Sequence, residues 1–274
     1  MILHPNGSAT VEFGLGLLEI GKPWGHAQGL VPSEAEALDF LEFAYRSGVR
    51  YFDCAASYAV AERRLGAFLK SLGSQEREHL VVATKFGEHW DFEHGEPCLD
   101  HSYAALRASL ERSLELLGRI DVLQVHKTTP ETLISDDLAR AWEFARSCGI
   151  SIFGPSVSDL ASARLACESG RYRMIQLPLN REKPQFLEAV SMAGAAGMYV
   201  AVNRPFAMGK MLYEGGVESA REKRVAAFEF ILRRLLSGVV LSGTKSKVHL
   251  AENWDAFAEA RGRLASPLPS DPAY

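Results

Sequence analysis

The chain has 274 residues, 47% of them hydrophobic, and a formal net charge of −4. This is ordinary globular composition, and it leaves no broad basic field to hold nucleic acid or an anionic membrane. No stretch approaches the roughly 20 apolar residues of a membrane span. The first ten residues lack the basic start and apolar run of a signal peptide. Cys54, Cys98, Cys148 and Cys167 form no CxxC pair and match no zinc spacing. A cytoplasmic protein with reduced thiols and no metal is therefore expected.

In chain order, residues 1–3 and 10–13 flank Pro5-Asn6-Gly7-Ser8, which reads as a small hairpin. Next come eight short β-rich runs, at 13–18, 49–53, 80–85, 120–126, 150–154, 174–177, 199–203 and 239–242, each followed by a helical segment. Ser33 and Glu36 form a capping box at the first helix. Leu106, Leu110, Leu114 and Leu117 recur at helical spacing, and Gly118 follows as a left-handed cap. Val225, Phe228, Ile231, Leu232 and Leu235 mark an apolar helix face near the end.

Strict alternation implies parallel strands with crossover helices, and eight units favour a closed (β/α)8 TIM barrel. The reading is an α/β chain with one barrel domain over 1–274, a short N-terminal hairpin, and an irregular Pro-rich tail over 263–274. Gly14-Leu-Gly16-Leu-Leu-Glu19 begins like a dinucleotide-binding loop but lacks the third glycine and the helix that must follow. Any dinucleotide must be held in another way.

In a parallel barrel the reactive groups gather at the C-terminal ends of the strands. There the sequence places Asp53, Lys85 and His126, with Tyr58 in the loop after Asp53. Side chains alternate along a strand. Asp53 shares parity with Tyr51, Lys85 with Ala83, and His126 with Val122 and Gln124, so each can converge on the barrel axis. Singly, each has a bland reading as a cap, a snorkelling cation, a structural imidazole or a packed ring. Together they make a working acid. A phenol is a poor acid at neutral pH, a nearby ammonium lowers its pKa, and a carboxylate keeps that ammonium in place. His126 can then orient a carbonyl oxygen while Tyr58 acts as general acid.

The segment Tyr51-Phe-Asp53-Cys-Ala-Ala-Ser-Tyr58, followed by Glu62-Arg-Arg-Leu-Gly66, resembles the aldo-keto reductase signature. Ala83-Thr-Lys85-Phe-Gly87 resembles that family's lysine-bearing strand, and residues 109–126 resemble the helix and strand leading to its histidine. The resemblance implies a nicotinamide cofactor extended across the barrel mouth. It implies Ser156 and Gln176 at the carboxamide, and Phe206 in the cofactor-approaching loop. It also implies Gly243, Thr244 and Lys245 at the adenosine phosphate, and Glu252 and Asn253 near the adenine. Val157 and His249 depart from residues common in the family. NADPH is expected ahead of NADH, with Lys245 or Lys247 as the phosphate group's cation. Trp24 and Trp90, in loops after the first and third strands, are candidates for the substrate wall.

The expected function is an NAD(P)H-dependent oxidoreductase reducing a small aldehyde or ketone, from a monomer or weak homo-oligomer. Two other readings remain open at this level: a non-catalytic nicotinamide-nucleotide sensor that binds a partner, and a lyase using Lys85 as a Schiff base.

Overall fold

Ten strands and eleven helices follow in chain order from Val11, in a computed structural model that describes residues 10–24, 30–213, 219–235 and 237–265. The strands are β1 (Val11–Gly16), β2 (Tyr51–Asp53), β3 (Val81–Phe86), β4 (Glu88–Asp91), β5 (Glu96–Leu99), β6 (Val122–Val125), β7 (Ile152–Pro155), β8 (Met174–Pro178), β9 (Tyr199–Asn203) and β10 (Gly238–Gly243). The helices are α1 (Glu34–Arg46), α2 (Ala61–Ser71), α3 (Ser74–Glu78), α4 (Tyr103–Leu117), α5 (Pro130–Ile134), α6 (Asp136–Ser147), α7 (Leu160–Glu168), α8 (Phe186–Ala195), α9 (Lys210–Tyr213), α10 (Ala220–Leu232) and α11 (Lys247–Ala265).

Eight of the strands are parallel and pair in the order β7-β6-β3-β2-β1-β10-β9-β8. The two ends of that sheet meet at a parallel bridge between Ser156 and Gln176, with Val157 N–H donating to the Gln176 carbonyl at 2.9 Å. The sheet thus curls into the expected (β/α)8 barrel. Strands buried on both faces need long apolar runs, and β6, β7 and β8 are buried at every position.

One face of the strands fills the barrel with Tyr51, Ala83, Val122, Ile152, Met174, Ala201, Val239 and Leu241. Tyr51 and Tyr199 stack there with ring centroids 6.4 Å apart. The other face carries the larger core against the helices, where Phe13, Phe228 and Phe257 meet edge to face. The helix starts follow their sequence signals. Ser33 and Glu36 close the capping box on α1, and Gly118 ends α4 in the left-handed region at φ 74°.

Two expectations need adjustment. β4 and β5 form an antiparallel hairpin across the barrel mouth where only a loop was expected. β5 is exposed at all four positions, so it carries no apolar alternation to read. Helix α11 runs to Ala265, so residues 263–265 of the expected tail are helical. The rest of that tail, residues 266–274, and the hairpin residues 1–9 lie outside the described residues. No described helix is long and apolar enough to cross a membrane.

Candidate active site

The interior alternation carries straight up to the mouth. Tyr51 on β2 and Ala83 on β3 fill the barrel, and two residues further on Asp53 and Lys85 close over them. Lys85 is fully buried. Its Nζ donates to Asp53 Oδ2 at 2.5 Å, to the Cys54 carbonyl at 2.8 Å and to Tyr58 Oη at 3.5 Å. The other Asp53 oxygen, Oδ1, accepts from Gln124 Nε2 at 2.9 Å and from Gln176 Nε2 at 3.0 Å. Asp53 is therefore held from three strands, and it holds Lys85 in turn.

Charge follows from that geometry. Burial alone would push the Lys85 ammonium down, but Asp53 and Tyr58 outweigh it and leave its pKa above the usual lysine value. Lys85 is therefore a cation across the neutral range. Tyr58 behaves differently from the sequence expectation. Burial raises its phenol, and Lys85 only partly opposes that, so the net direction is upward. Tyr58 is thus a protonated hydrogen-bond donor at neutral pH. Burial also drives the Cys54 thiol well above its ordinary value, which gives it no thiolate reactivity.

His126 follows β6 and sits edge-on to Tyr58, with ring centroids 6.0 Å apart. Its Nδ1 lies 2.9 Å from Glu88 Oε2 and 3.3 Å from Ser57 Oγ. Its carbonyl accepts from His101 Nε2 at 2.8 Å. The other Glu88 oxygen pairs with Lys127. Burial pulls the His126 pKa below the usual histidine value, more than the Glu88 contact raises it.

The residues assigned to a carboxamide also converge. Ser156 Oγ and Asn203 Nδ2 approach Gln176 Oε1 at 3.3 and 3.2 Å. Asn203 Oδ1 and Gln124 Oε1 are buried without a hydrogen-bond partner among the described residues. A buried acceptor left unpaired is costly, so this rim fits a ligand bearing amide N–H donors. The nicotinamide carboxamide is such a group.

The adenosine candidates lie at the start of α11. Thr244 Oγ1 accepts from Ser246 N at 3.1 Å, and Lys245 Nζ donates to the Leu30 carbonyl at 2.6 Å. Lys247 Nζ pairs with Asp39 at 2.5 Å. Glu252 pairs with Arg224 at 2.7 Å, while buried Asn253 bridges Arg224 Nε and Ser242 Oγ at 2.9 and 3.0 Å. Gly243, one of this set, ends β10 exposed at the mouth. Phe206 turns its ring into the core, edge-on to Phe228 at 5.1 Å, because an apolar ring gains more there than over the mouth.

Of the two tryptophans, Trp90 on β4 lies under Lys22, whose Nζ is 4.6 Å from the ring centroid. Trp24 is 44% exposed. Sequence reasoning missed Glu88, Ser57 and Asn203 as members of this cluster. Glu88 was beyond the alternation rule, because Gly87 at φ 92° turns the chain before it. Among the described residues no group of three His, Cys, Asp or Glu side chains is placed to hold a metal.

Strain concentrates at this rim. Ala59, Lys127 and Arg204 take positive φ of 49°, 48° and 56°, each in a loop that leaves a barrel strand. Such residues cost free energy and mark functional loops.

Known proteins agree with this architecture. The model of the aldo/keto reductase family matches residues 12–266. A D-threo-aldose 1-dehydrogenase of a Pseudomonas species is 30% identical over 199 residues, covering 55% of each chain. An aldo-keto reductase of Strobilurus tenacellus is 28% identical over 163 residues, 58% of this chain and 46% of that one. The matches thus span about half the length of these two relatives. A solved Pseudomonas aeruginosa structure described as an aldo-keto reductase superposes with TM-score 0.77 at 26% identity, covering 94% of both chains. The holo form of an aldo-keto reductase from Bacillus halodurans shares the fold, with TM-score 0.74 at 20% identity over 95% of this chain and 94% of that one. With the family match spanning nearly the whole barrel, the chain belongs to the aldo/keto reductase family.

Proposed function

We propose that this protein is a nicotinamide-dependent oxidoreductase that interconverts an aldehyde or ketone and its alcohol at the barrel mouth, within a single domain. The observation that carries the reading is the buried Lys85 ammonium between Asp53 and Tyr58. A reactive oxygen bound against Tyr58 meets a protonated hydroxyl backed by a fixed positive charge. That arrangement stabilises negative charge as it grows on the oxygen, without reorganisation at the moment of reaction. His126 is the second polar group that orients the oxygen.

The nicotinamide nucleotide, when bound, supplies or accepts the hydride. Ser156, Gln176 and Asn203 would hold its carboxamide. Gly243, Thr244 and Lys245 would meet the phosphate end at the N-terminus of α11, where free N–H groups favour anions. Glu252 and Asn253 would flank the adenine. Phe206 would support this side by bracing the loop from within the core.

The preference between nucleotides is a question of displacement. Lys247 is already paired with Asp39 and Lys245 with the Leu30 carbonyl. NADPH is favoured over NADH only if its extra phosphate draws one of these cations from its partner.

The substrate would be a small molecule walled by Trp24 and Trp90. A lyase through Lys85 is disfavoured, because Schiff-base formation needs a neutral amine and Asp53 keeps this one charged. The test is direct. Purified protein given NADPH or NADH and a broad panel of aldehydes and ketones is expected to oxidise the nucleotide with at least one of them. Nucleotide binding without turnover across the panel contradicts the reading and favours a non-catalytic sensor.

A further inference from the structure

β7 and β8 meet at the seam that closes the barrel, and their N-terminal ends lie away from Ser156 and Gln176. Two cavities of about 360 and 440 Å³ open there. Both are lined by Arg146, Phe153, Arg171 and Arg173, so they adjoin. Arg146 lies in the last turn of α6, where a cation suits the helix dipole. Arg171 and Arg173 lie just before β8 and have no such duty. All three are exposed, and among the described residues none makes an ion pair or a side-chain hydrogen bond. No acid lines the first cavity. Asp136 and Glu143 line the second, but neither pairs with these arginines.

The backbone under the cluster is fixed. Arg173 N–H donates to the Phe153 carbonyl at 3.1 Å, and the Arg173 carbonyl accepts from Tyr199 N–H at 2.9 Å. Tyr172, buried between two of the arginines, donates its hydroxyl to the Leu133 carbonyl at 2.8 Å. Phe153 stacks on Trp142 with centroids 4.7 Å apart, and the Arg146 guanidinium lies 4.9 Å from the Phe153 centroid. That contact orients Arg146 before any ligand arrives. Leu133, Leu138 and Trp142 give the second cavity an apolar wall. The Trp142 indole N–H is buried near the Tyr172 hydroxyl, yet out of hydrogen-bonding geometry with any described residue. A buried donor left unpaired is costly.

We propose that Arg146, Arg171 and Arg173 form a binding site for a small organic phosphate monoester, at the end of the barrel remote from the hydride-transfer site. The phosphate dianion has three terminal oxygens, one for each guanidinium fork, whereas a carboxylate has two and half the charge. The phosphate occupies the first cavity and the apolar body of the ester the second. The ester oxygen between them is an acceptor for the Trp142 indole N–H. The site is separate from the one proposed for the nicotinamide nucleotide. Gln176 lies three residues along the strand from Arg173, about 10 Å at the rise of a strand.

Calorimetric titration with phenyl phosphate, inorganic phosphate and benzoate tests this. The proteins are wild type, the paired variant Arg171→Gln/Arg173→Gln, and Lys245→Gln as a control at the nucleotide end. Phenyl phosphate is expected to bind wild type with a Kd of about 1 mM or below, and more tightly than either other probe. The paired variant is expected to bind it about 10-fold more weakly or worse, and Lys245→Gln as wild type does. Benzoate or inorganic phosphate binding as tightly as phenyl phosphate overturns the proposal. So does unchanged binding in the paired variant, or a loss that follows Lys245→Gln instead. A second measurement needs only folded wild type once its signals are assigned. The nitrogen-15 indole signal of Trp142, identified by its loss in Trp142→Phe, is expected to shift as phenyl phosphate saturates. A signal that stays in place overturns the proposal whether or not the arginine variant folds.

Discussion

Replacing Lys85 with Met is expected to lower turnover by about 10³-fold and to destabilise the fold by roughly 3–5 kcal/mol. The two losses have one cause. Lys85 is fully buried, and its Nζ bonds the Asp53 carboxylate at 2.5 Å. Met fills most of the same volume, so little packing is lost. What remains is a buried Asp53 whose charge is met only by the amides of Gln124 and Gln176. Adding Asp53→Asn removes that orphaned charge. The double variant is therefore expected to recover a large part of the stability and none of the turnover. Unfolding midpoints and steady-state rates, measured on all three variants, check both halves. A double variant that regains turnover would mean the ammonium is merely structural.

The pH dependence of this pair has a definite sign. The folded pKa of Lys85 is raised, so its stabilising share is complete below the unfolded lysine value of about 10.4. It is lost only as pH rises further, through the folded value. Stability across the neutral range should be insensitive to this group.

Gly154→Ala is expected to cost about 3 kcal/mol and to damage the site from outside it. Gly154 lies on β7, where the barrel closes. A Cβ there would stand 1.8 Å from the Met174 carbonyl oxygen and 2.7 Å from its carbon, both backbone atoms of β8. Neither can move aside as a side chain would. The strands must part, and the Ser156–Gln176 bridge lies two residues further along the same seam. Nucleotide affinity should fall together with the unfolding temperature. Gly194→Ala is the control. It lies exposed in α8 with nothing within 4 Å of its Cβ, so it should be neutral or stabilise by up to about 1 kcal/mol. Equal unfolding temperatures for Gly154→Ala and wild type would mean the seam is slack.

How much of this was legible in the sequence can be traced residue by residue. Period-two alternation led from Tyr51 to Asp53 and from Ala83 to Lys85, and the barrel interior does contain Tyr51, Ala83 and Val122. Eight alternating units indicated closure, and the bridge at Ser156 provides it. The hairpin of β4 and β5 was invisible, because β5 is exposed at every position and β4 buries only the charged Glu88, so neither shows an apolar pattern. Glu88 stayed hidden behind the turn at Gly87, across which parity carries no information. The direction of the Tyr58 shift was misjudged for a further reason. A sequence lists the cation that lowers a phenol pKa but not the burial that raises it. Asn253 and Phe206 carried a family pattern, and their contacts reflect packing duties that only the three-dimensional neighbours reveal.

The central claim is that the Tyr58 hydroxyl, backed by Lys85, meets the reacting oxygen. Tyr58→Phe removes that hydroxyl and little else, since the ring can keep its place beside His126 and Lys85. The most direct measurement is therefore kcat of Tyr58→Phe on the best substrate, alongside its affinity for the nicotinamide nucleotide. The prediction is a kcat lower by about 10²–10³-fold with nucleotide affinity unchanged. Wild-type turnover in Tyr58→Phe would contradict the account.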